Sequence, residues 1–198
     1  SNEGKAIRFA ETDVRSMGRA AKGVRGMRVA LAANALDSED AENDNDENED
    51  SDESSDSGVV SRIVSLVVVP ATGEVLCACA NGYGKRTPVD DFPTKKRGGK
   101  GVIAIKTSER NGELIGAVAI DETKELMLIS DGGTLVRTRA SEVATTGRNA
   151  QGVRLIRLDE TETLVGVEAI DAVEDDELIE DQVIESTEEA VVVETTAE

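Results

Sequence analysis

Residues 95–101 read Lys-Lys-Arg-Gly-Gly-Lys-Gly, which packs four cations and three glycines into one short stretch. Cationic side chains supply charge and glycines let the backbone approach a surface closely, so Lys95, Lys96, Arg97, Gly98, Gly99, Lys100 and Gly101 suit contact with phosphate. Parts of this pattern recur. Arg97 has counterparts in Arg19 and Arg148, and Lys100 has counterparts in Lys22 and Gln151. Arg25 and Arg154, together with Arg28, Lys106 and Arg157, follow the closing glycines and widen the basic stripe. Positive spots at fixed intervals suit a regular polyanion. The only aromatic residues are Phe9, Tyr83 and Phe92. Base-stacking platforms are therefore scarce, and the expected ligand is the backbone of duplex DNA rather than a single strand.

Catalytic chemistry finds little to work with. Histidine is absent, which removes a Ser-His-Asp arrangement. Gly98-Gly99-Lys100-Gly101 lacks both the upstream glycine and the Ser or Thr after lysine that a P-loop requires. Cys77 and Cys79 are the only cysteines, too few for a zinc site and badly spaced for a disulfide. They read as small buried strand residues. The fragment is thus expected to carry no catalytic residue, metal or cofactor. No signal-peptide core and no apolar run of membrane-spanning length is present, so the reading is a cytoplasmic chain without a membrane partner.

A repeat places the basic turns. Arg8, Arg86 and Arg137 anchor three copies, and six residues after each anchor an apolar side chain follows an acid, at Val14, Phe92 and Val143. Eleven residues on comes Arg19, Arg97 or Arg148, and fifteen on comes Gly23-Val24, Gly101-Val102 or Gly152-Val153. Arg8, Arg86 and Arg137 stand beside the turns and suit either rim contacts or clamps to backbone carbonyls; so strict a register favours structure, with Arg8, Arg86, Arg137, Gly23 and Gly152 as repeat anchors. A fixed period signals one supersecondary unit stacked several times. Between the anchored units lie Ile63–Val69, Glu74–Ala80, Leu114–Ile120, Glu125–Ile129 and Leu164–Ile170, apolar runs bounded by Asn81-Gly82, Asn111-Gly112 and Asp131-Gly132. They read as strands joined by tight hairpins. The 51 residues from Arg86 to Arg137 suit four short strands per repeat, the size of a propeller-like blade. The expected fold is all-β, with about three blades. Such a disc normally needs more blades to close, so the chain reads as part of something longer.

The net charge of −19 is unevenly spread. Residues 37–58 hold 12 acids and no base, and residues 171–198 hold another 12 acids and no base; the remainder has 17 acids against 22 bases, about +5. Long runs of like charge repel themselves and stay unstructured. The organisation read from this is a partial blade at 1–36, an acidic disordered insertion at 37–58, the remaining blades at 59–170 and an acidic tail at 171–198. Either tract has enough charge to compete with a polyanion for the basic core.

Gly82-Tyr83-Gly84-Lys85-Arg86-Thr87-Pro88-Val89, running into Lys95–Gly101 and Val102-Ile103-Ala104-Ile105-Lys106, resembles the C-terminal domain of bacterial DNA gyrase A. So does Asp131–Arg139 followed by Gly147-Arg148-Asn149-Ala150-Gln151-Gly152-Val153, and the resemblance runs from about residue 2 to residue 170. It implies a β-pinwheel of about six four-stranded blades whose basic rim wraps duplex DNA. It also implies the later half of that disc, within an ATP-hydrolysing type II topoisomerase that introduces negative supercoils. Lys96 to Gly101 match the last six positions of the family's box, Gln-(Arg/Lys)-Arg-Gly-Gly-(Arg/Lys)-Gly, while Lys95 replaces the leading Gln. This copy is expected to be a degenerate one, with the principal box elsewhere. ATP and Mg would be bound elsewhere in the enzyme. The implied partners are duplex DNA, the rest of gyrase A, and gyrase B in a heterotetramer, in the nucleoid-associated cytoplasm of a bacterium. The alternatives are the C-terminal domain of topoisomerase IV and a β-propeller scaffold for protein interaction.

Overall fold

The computed structural model describes residues 1–29 and 60–172. The insertion at 37–58 and all but the first two residues of the tail at 171–198 lie outside the described residues. Within them the chain forms strands β1 (Lys5–Ala6), β2 (Glu74–Cys79), β3 (Tyr83–Pro88), β4 (Val102–Ile103), β5 (Leu114–Ile120), β6 (Lys124–Ser130), β7 (Leu135–Arg139), β8 (Val153–Arg154) and β9 (Leu164–Asp171). They build three antiparallel sheets with strand orders β1-β4, β5-β2-β3-β8 and β7-β6-β9. The only helical elements among the described residues are 3₁₀ turns at Glu11–Asp13, Val89–Asp91 and Ala140–Glu142. The architecture is all-β, as expected.

The repeat is visible bond by bond. Each 3₁₀ turn begins three residues after its anchor arginine and is closed by the N–H of Val14, Phe92 or Val143 donating to the carbonyl of Glu11, Val89 or Ala140 at 2.9, 3.1 and 3.0 Å. In the β2–β3 hairpin Leu76 faces Arg86, and in the β6–β7 hairpin Met127 faces Arg137, the same register 51 residues on. The register shift recurs too, between Ala78 and Cys79 in one sheet and between Ile129 and Ser130 in the next. Asn81-Gly82 and Asp131-Gly132 stand at the hairpin turns, where short polar and glycine residues tolerate the tight reversal.

Blade and repeat do not coincide, although four strands do make the middle sheet. Its outer strand, β8, comes from the following repeat, with Gly84 facing Val153; likewise Ala6 on β1 faces Val102 on β4. The closing glycine permits this exchange. Gly101 has φ +80°, and a Cβ there would lie 2.4 Å from the Ala6 carbonyl oxygen. Gly152 has φ +85°, and its Cβ would lie 2.4 Å from the Gly84 carbonyl oxygen. Only a residue without a side chain lets the two backbones meet.

Ile63–Val69 departs from the expected strand. In the repeat it holds the place of β5 and β9, which pair with β2 and β6, but no strand among the described residues forms a ladder with it. It stays outside any ladder, tied down by the Asn2 N–H on the Arg62 carbonyl at 2.9 Å and by Ser65 Oγ accepting from the Ala117 N–H at 2.9 Å. Leu66 and Val68 are left 90% and 89% exposed.

The core lies in the seams between sheets. Residues alternating along β2 face opposite ways: Val75, Cys77 and Cys79 join Phe92, Ala104 and Ile105 on the side of the first sheet. Leu76 joins Ile120, Leu126, Ala140 and Val143 on the side of the third, and Ala78 joins Leu128, Ile156 and Leu164 there. The short cysteines let sheets approach closely. Both are free thiols, and burial pushes their pKa values up to about 11 for Cys77 and about 12 for Cys79.

Candidate nucleic-acid interface

The turn at Lys95–Gly101 is pinned to the preceding repeat along its whole length. Lys95 N–H donates to the Arg8 carbonyl at 2.8 Å, Gly98 N–H donates to the Gly26 carbonyl at 2.6 Å, and Arg28 N–H donates to the Gly99 carbonyl at 2.8 Å. This lays Lys95, Lys96 and Lys100 beside Arg25 and Arg28, residues about 70 positions earlier in sequence. All five are exposed. Among the described residues no carboxylate lies within ion-pair distance of any of them. The Lys95 and Gly98 N–H groups are engaged within the fold, and the exposed ammonium groups of Lys95, Lys96 and Lys100 are free to donate to solvent or to a bound anion. Arg19 and Lys22, the counterparts of Arg97 and Lys100 in the first repeat, are exposed as well.

Arg97 and Arg148 each divide their donors. Arg97 Nη1 donates to the Arg25 carbonyl at 3.1 Å and its Nε to the Asp13 carbonyl at 3.1 Å. Arg148 Nη1 donates to the Ile103 carbonyl at 3.0 Å. Arg25 and Ile103 hold the same place in successive repeats, so both guanidiniums tie a basic turn to the repeat before it. Each has further N–H groups, since a guanidinium carries five. Arg154, placed on β8, is exposed.

The anchor arginines point the other way, to the repeat that follows. Arg8 Nη1 donates to the carbonyls of Val89 at 2.9 Å and Phe92 at 3.2 Å. Arg86 Nε donates to the Val143 carbonyl at 2.7 Å, and its Nη1 meets Glu74 Oε2 at 2.8 Å. Phe92 and Val143 are again equivalent. Arg137, in the third repeat, pairs with Glu125 and makes no carbonyl contact among the described residues; its side chain is 44% exposed. Gly152 sits in the seam beside Gly84, whereas a Cβ on Gly23 would meet nothing within 4 Å.

Two features escaped the sequence reading. Lys85 is fully buried, where the equivalent positions hold Ile7 and Val136. Its ammonium donates to the Thr87 hydroxyl at 2.8 Å and to the Gly147 carbonyl at 2.9 Å, which holds the third basic turn in place. Burial pulls its pKa down. The second feature is Arg110, whose guanidinium lies 4.7 Å from the centre of the Tyr83 ring, with Arg154 at 5.4 Å from the same ring. A lone basic residue in a hairpin turn carries no repeat signal, so nothing in its spacing singled out Arg110.

Among the described residues no cluster of His, Cys, Asp or Glu is arranged to hold a metal ion. No helix there is long and apolar enough to cross a membrane.

A family model described as "DNA gyrase C-terminal domain, beta-propeller" matches residues 1–40, 73–121 and 124–171. The DNA gyrase A protein of Haemophilus influenzae is 51% identical over 181 residues, 91% of this chain and 21% of that protein. The same protein of Escherichia coli is 44% identical over 170 residues, 86% of this chain and 16% of that protein. The chain therefore spans about a fifth or less of the length of these curated relatives. A solved DNA gyrase A C-terminal domain superposes with TM-score 0.66 at 27% identity, covering 85% of this chain and 48% of that one. The C-terminal domain of a DNA topoisomerase IV shares the fold with TM-score 0.65 at 17% identity, covering 86% of this chain and 45% of that one.

Proposed function

The chain belongs to the DNA gyrase C-terminal domain family of β-propellers, and on that footing we propose that it binds and wraps duplex DNA on its basic turns. The observation that carries this reading is the group of exposed cations Lys95, Lys96, Lys100, Arg25 and Arg28, held together across a repeat seam without carboxylate partners among the described residues. Ammonium groups on a pinned turn neutralise phosphate and read no base edge, so binding is independent of sequence. Arg97 and Arg148 serve this surface both ways, fixing the turns and offering their remaining donors. Arg19, Lys22 and Arg154 extend it to the neighbouring repeats. Bending a duplex costs on the order of several kcal/mol per 20–30 bp, and cationic contacts repeated at one register offset that cost.

Within this proposal the chain acts as part of DNA gyrase, with the rest of gyrase A and with gyrase B. The ATP-driven introduction of negative supercoils belongs to that assembly in the bacterial cytoplasm, and ATP and Mg are bound outside this chain. Gyrase is favoured over topoisomerase IV because relatives covering most of the chain at 44–51% identity are gyrase A proteins. Replacing Lys95, Lys96 and Lys100 together by Ala should weaken binding equally for unrelated duplexes and flatten the salt dependence by roughly one unit of slope per lost contact. Loss confined to one DNA sequence, or no loss at all, overturns the proposal.

A further inference from the structure

The third repeat departs from the other two at one position of its basic turn. Where they carry Lys22 and Lys100, it carries the neutral Gln151. The side chain that comes to Gln151 is Arg110, whose Nη1 stands 3.4 Å from Gln151 Oε1. Arg110 belongs to a turn that the fold fastens to the same loop: Lys106 N–H donates to the Ala150 carbonyl at 3.2 Å, and the buried Asn111 amide donates to the Gln151 carbonyl at 3.2 Å.

Arg110 does not stand alone there. Tyr83 and Arg154 face each other across the exchanged pair β3–β8, and Arg154 Nη2 donates to the Tyr83 hydroxyl at 2.9 Å. Two guanidiniums thus share one phenol ring, at 4.7 and 5.4 Å from its centre. Neither belongs to any ion pair among the described residues. Like charges brought this close repel, and the ring's negative face offsets only part of that. An anion between them removes the remainder. The Tyr83 hydroxyl, already an acceptor from Arg154, keeps its own O–H to donate.

We propose that Arg110, Arg154 and the Tyr83 hydroxyl form a phosphate-binding station on the third basic turn, with Arg110 supplying the charge that Gln151 does not. The station rests on the DNA-binding reading above and adds to it residues from three separate segments. It exists only when the strand exchange between the second and third repeats is complete.

The chain has one tyrosine and no tryptophan, so tyrosine emission reports on this station alone. Duplex DNA should shield Tyr83 from acrylamide quenching in the unmodified chain. Replacing Arg110 and Arg154 by Ala should abolish the shielding and lower the salt slope by about two, and adding Gln151→Lys to Arg110→Ala should restore about one of the slope that Arg110→Ala removes. Unshielded Tyr83 at saturating DNA overturns the station. So does an unchanged slope in the double variant while the Lys95, Lys96 and Lys100 variant still weakens binding, and in that case the DNA-binding reading stands. If the lysine variant also binds normally, both readings fail. Thermal unfolding of each variant guards against a loss of fold, and the quenching of the unmodified chain decides the matter even if a variant unfolds.

Discussion

Arg86 and Val143 are joined across a seam between repeats by a 2.7 Å hydrogen bond from Nε to the carbonyl oxygen, although 57 residues separate them in sequence. Glu74 closes the other side of the same guanidinium, and the two side chains are only 7% and 18% exposed. Removing Arg86 would strand a carboxylate with only Thr145 left to it and leave a carbonyl without its donor. Arg86→Ala should therefore cost about 3 kcal/mol of stability. Arg137→Ala, whose half-exposed guanidinium pairs with the largely buried Glu125 but reaches no neighbouring repeat, should cost less, about 1 kcal/mol, because no carbonyl across a seam loses its donor. Denaturant unfolding of the two variants measures the contrast, and equal losses would contradict it.

The closing glycines should separate in the same way. Gly152→Ala drives a Cβ against the Gly84 backbone and should cost on the order of 3 kcal/mol, or prevent β8 from docking. Gly23→Ala meets open space at φ +83° and should cost only the left-handed backbone term, about 1 kcal/mol. Hydrogen exchange at Gly84 would register the loss of β8 directly.

Alkaline pH should loosen the seam that holds the cysteines. Both thiols have folded pKa values raised above 9.0, to about 11 and about 12. The native state thus keeps protons that the unfolded chain releases, and stability present below pH 9 is lost as the pH climbs through 11. Lys85 opposes this trend. Its pKa is lowered from 10.5, so its deprotonation favours the native state as the pH rises towards that value. The Cys77→Ala, Cys79→Ala double variant should show a flatter fall of unfolding midpoint above pH 9 than the unmodified chain.

Tyr83 should ionise below its ordinary value of 10.0, because the Arg154 hydrogen bond, followed by the nearby Arg110 guanidinium, favours the phenolate. As the only tyrosine, it gives an ultraviolet titration free of other phenols. Arg154→Ala should move the midpoint up, more than Arg110→Ala does.

Deleting residues 171–198 removes 12 acids and no base. If that tract competes with phosphate for the basic turns, binding to duplex DNA should tighten, most at low salt where screening is weakest. Identical affinities at low ionic strength would exclude the competition.

The sequence made the repeat legible because its marks are local. A glycine that must adopt positive φ, an arginine eleven residues after another and an Asn-Gly turn can each be read without knowing what lies opposite. Leu114–Ile120 matches β5 at both ends for that reason. What lies opposite was not legible. That Gly152-Val153 completes the sheet of Tyr83, that Arg148 ties itself to Ile103, and that Lys85 is buried all depend on which repeat stands beside which. Ile63–Val69 shows the converse error: its composition is that of a strand, yet strand status belongs to a pair and none of the described strands joins it in a ladder. Arg110 was missed because the turn that carries it has no counterpart among the anchored positions.

A repeat whose closing strand lies in its neighbour's sheet is a poor module for cutting and pasting. A chain severed in the Asp121–Thr123 loop, at the visible border between hairpins, would carry off β8 and leave the backbone of Tyr83 and Gly84 bare. A chain severed just after Arg154 would keep the middle sheet whole while dividing the third repeat. Grafts and truncations of this architecture should accordingly follow the seams, and any lengthening by one repeat has to rebuild two sheets at once.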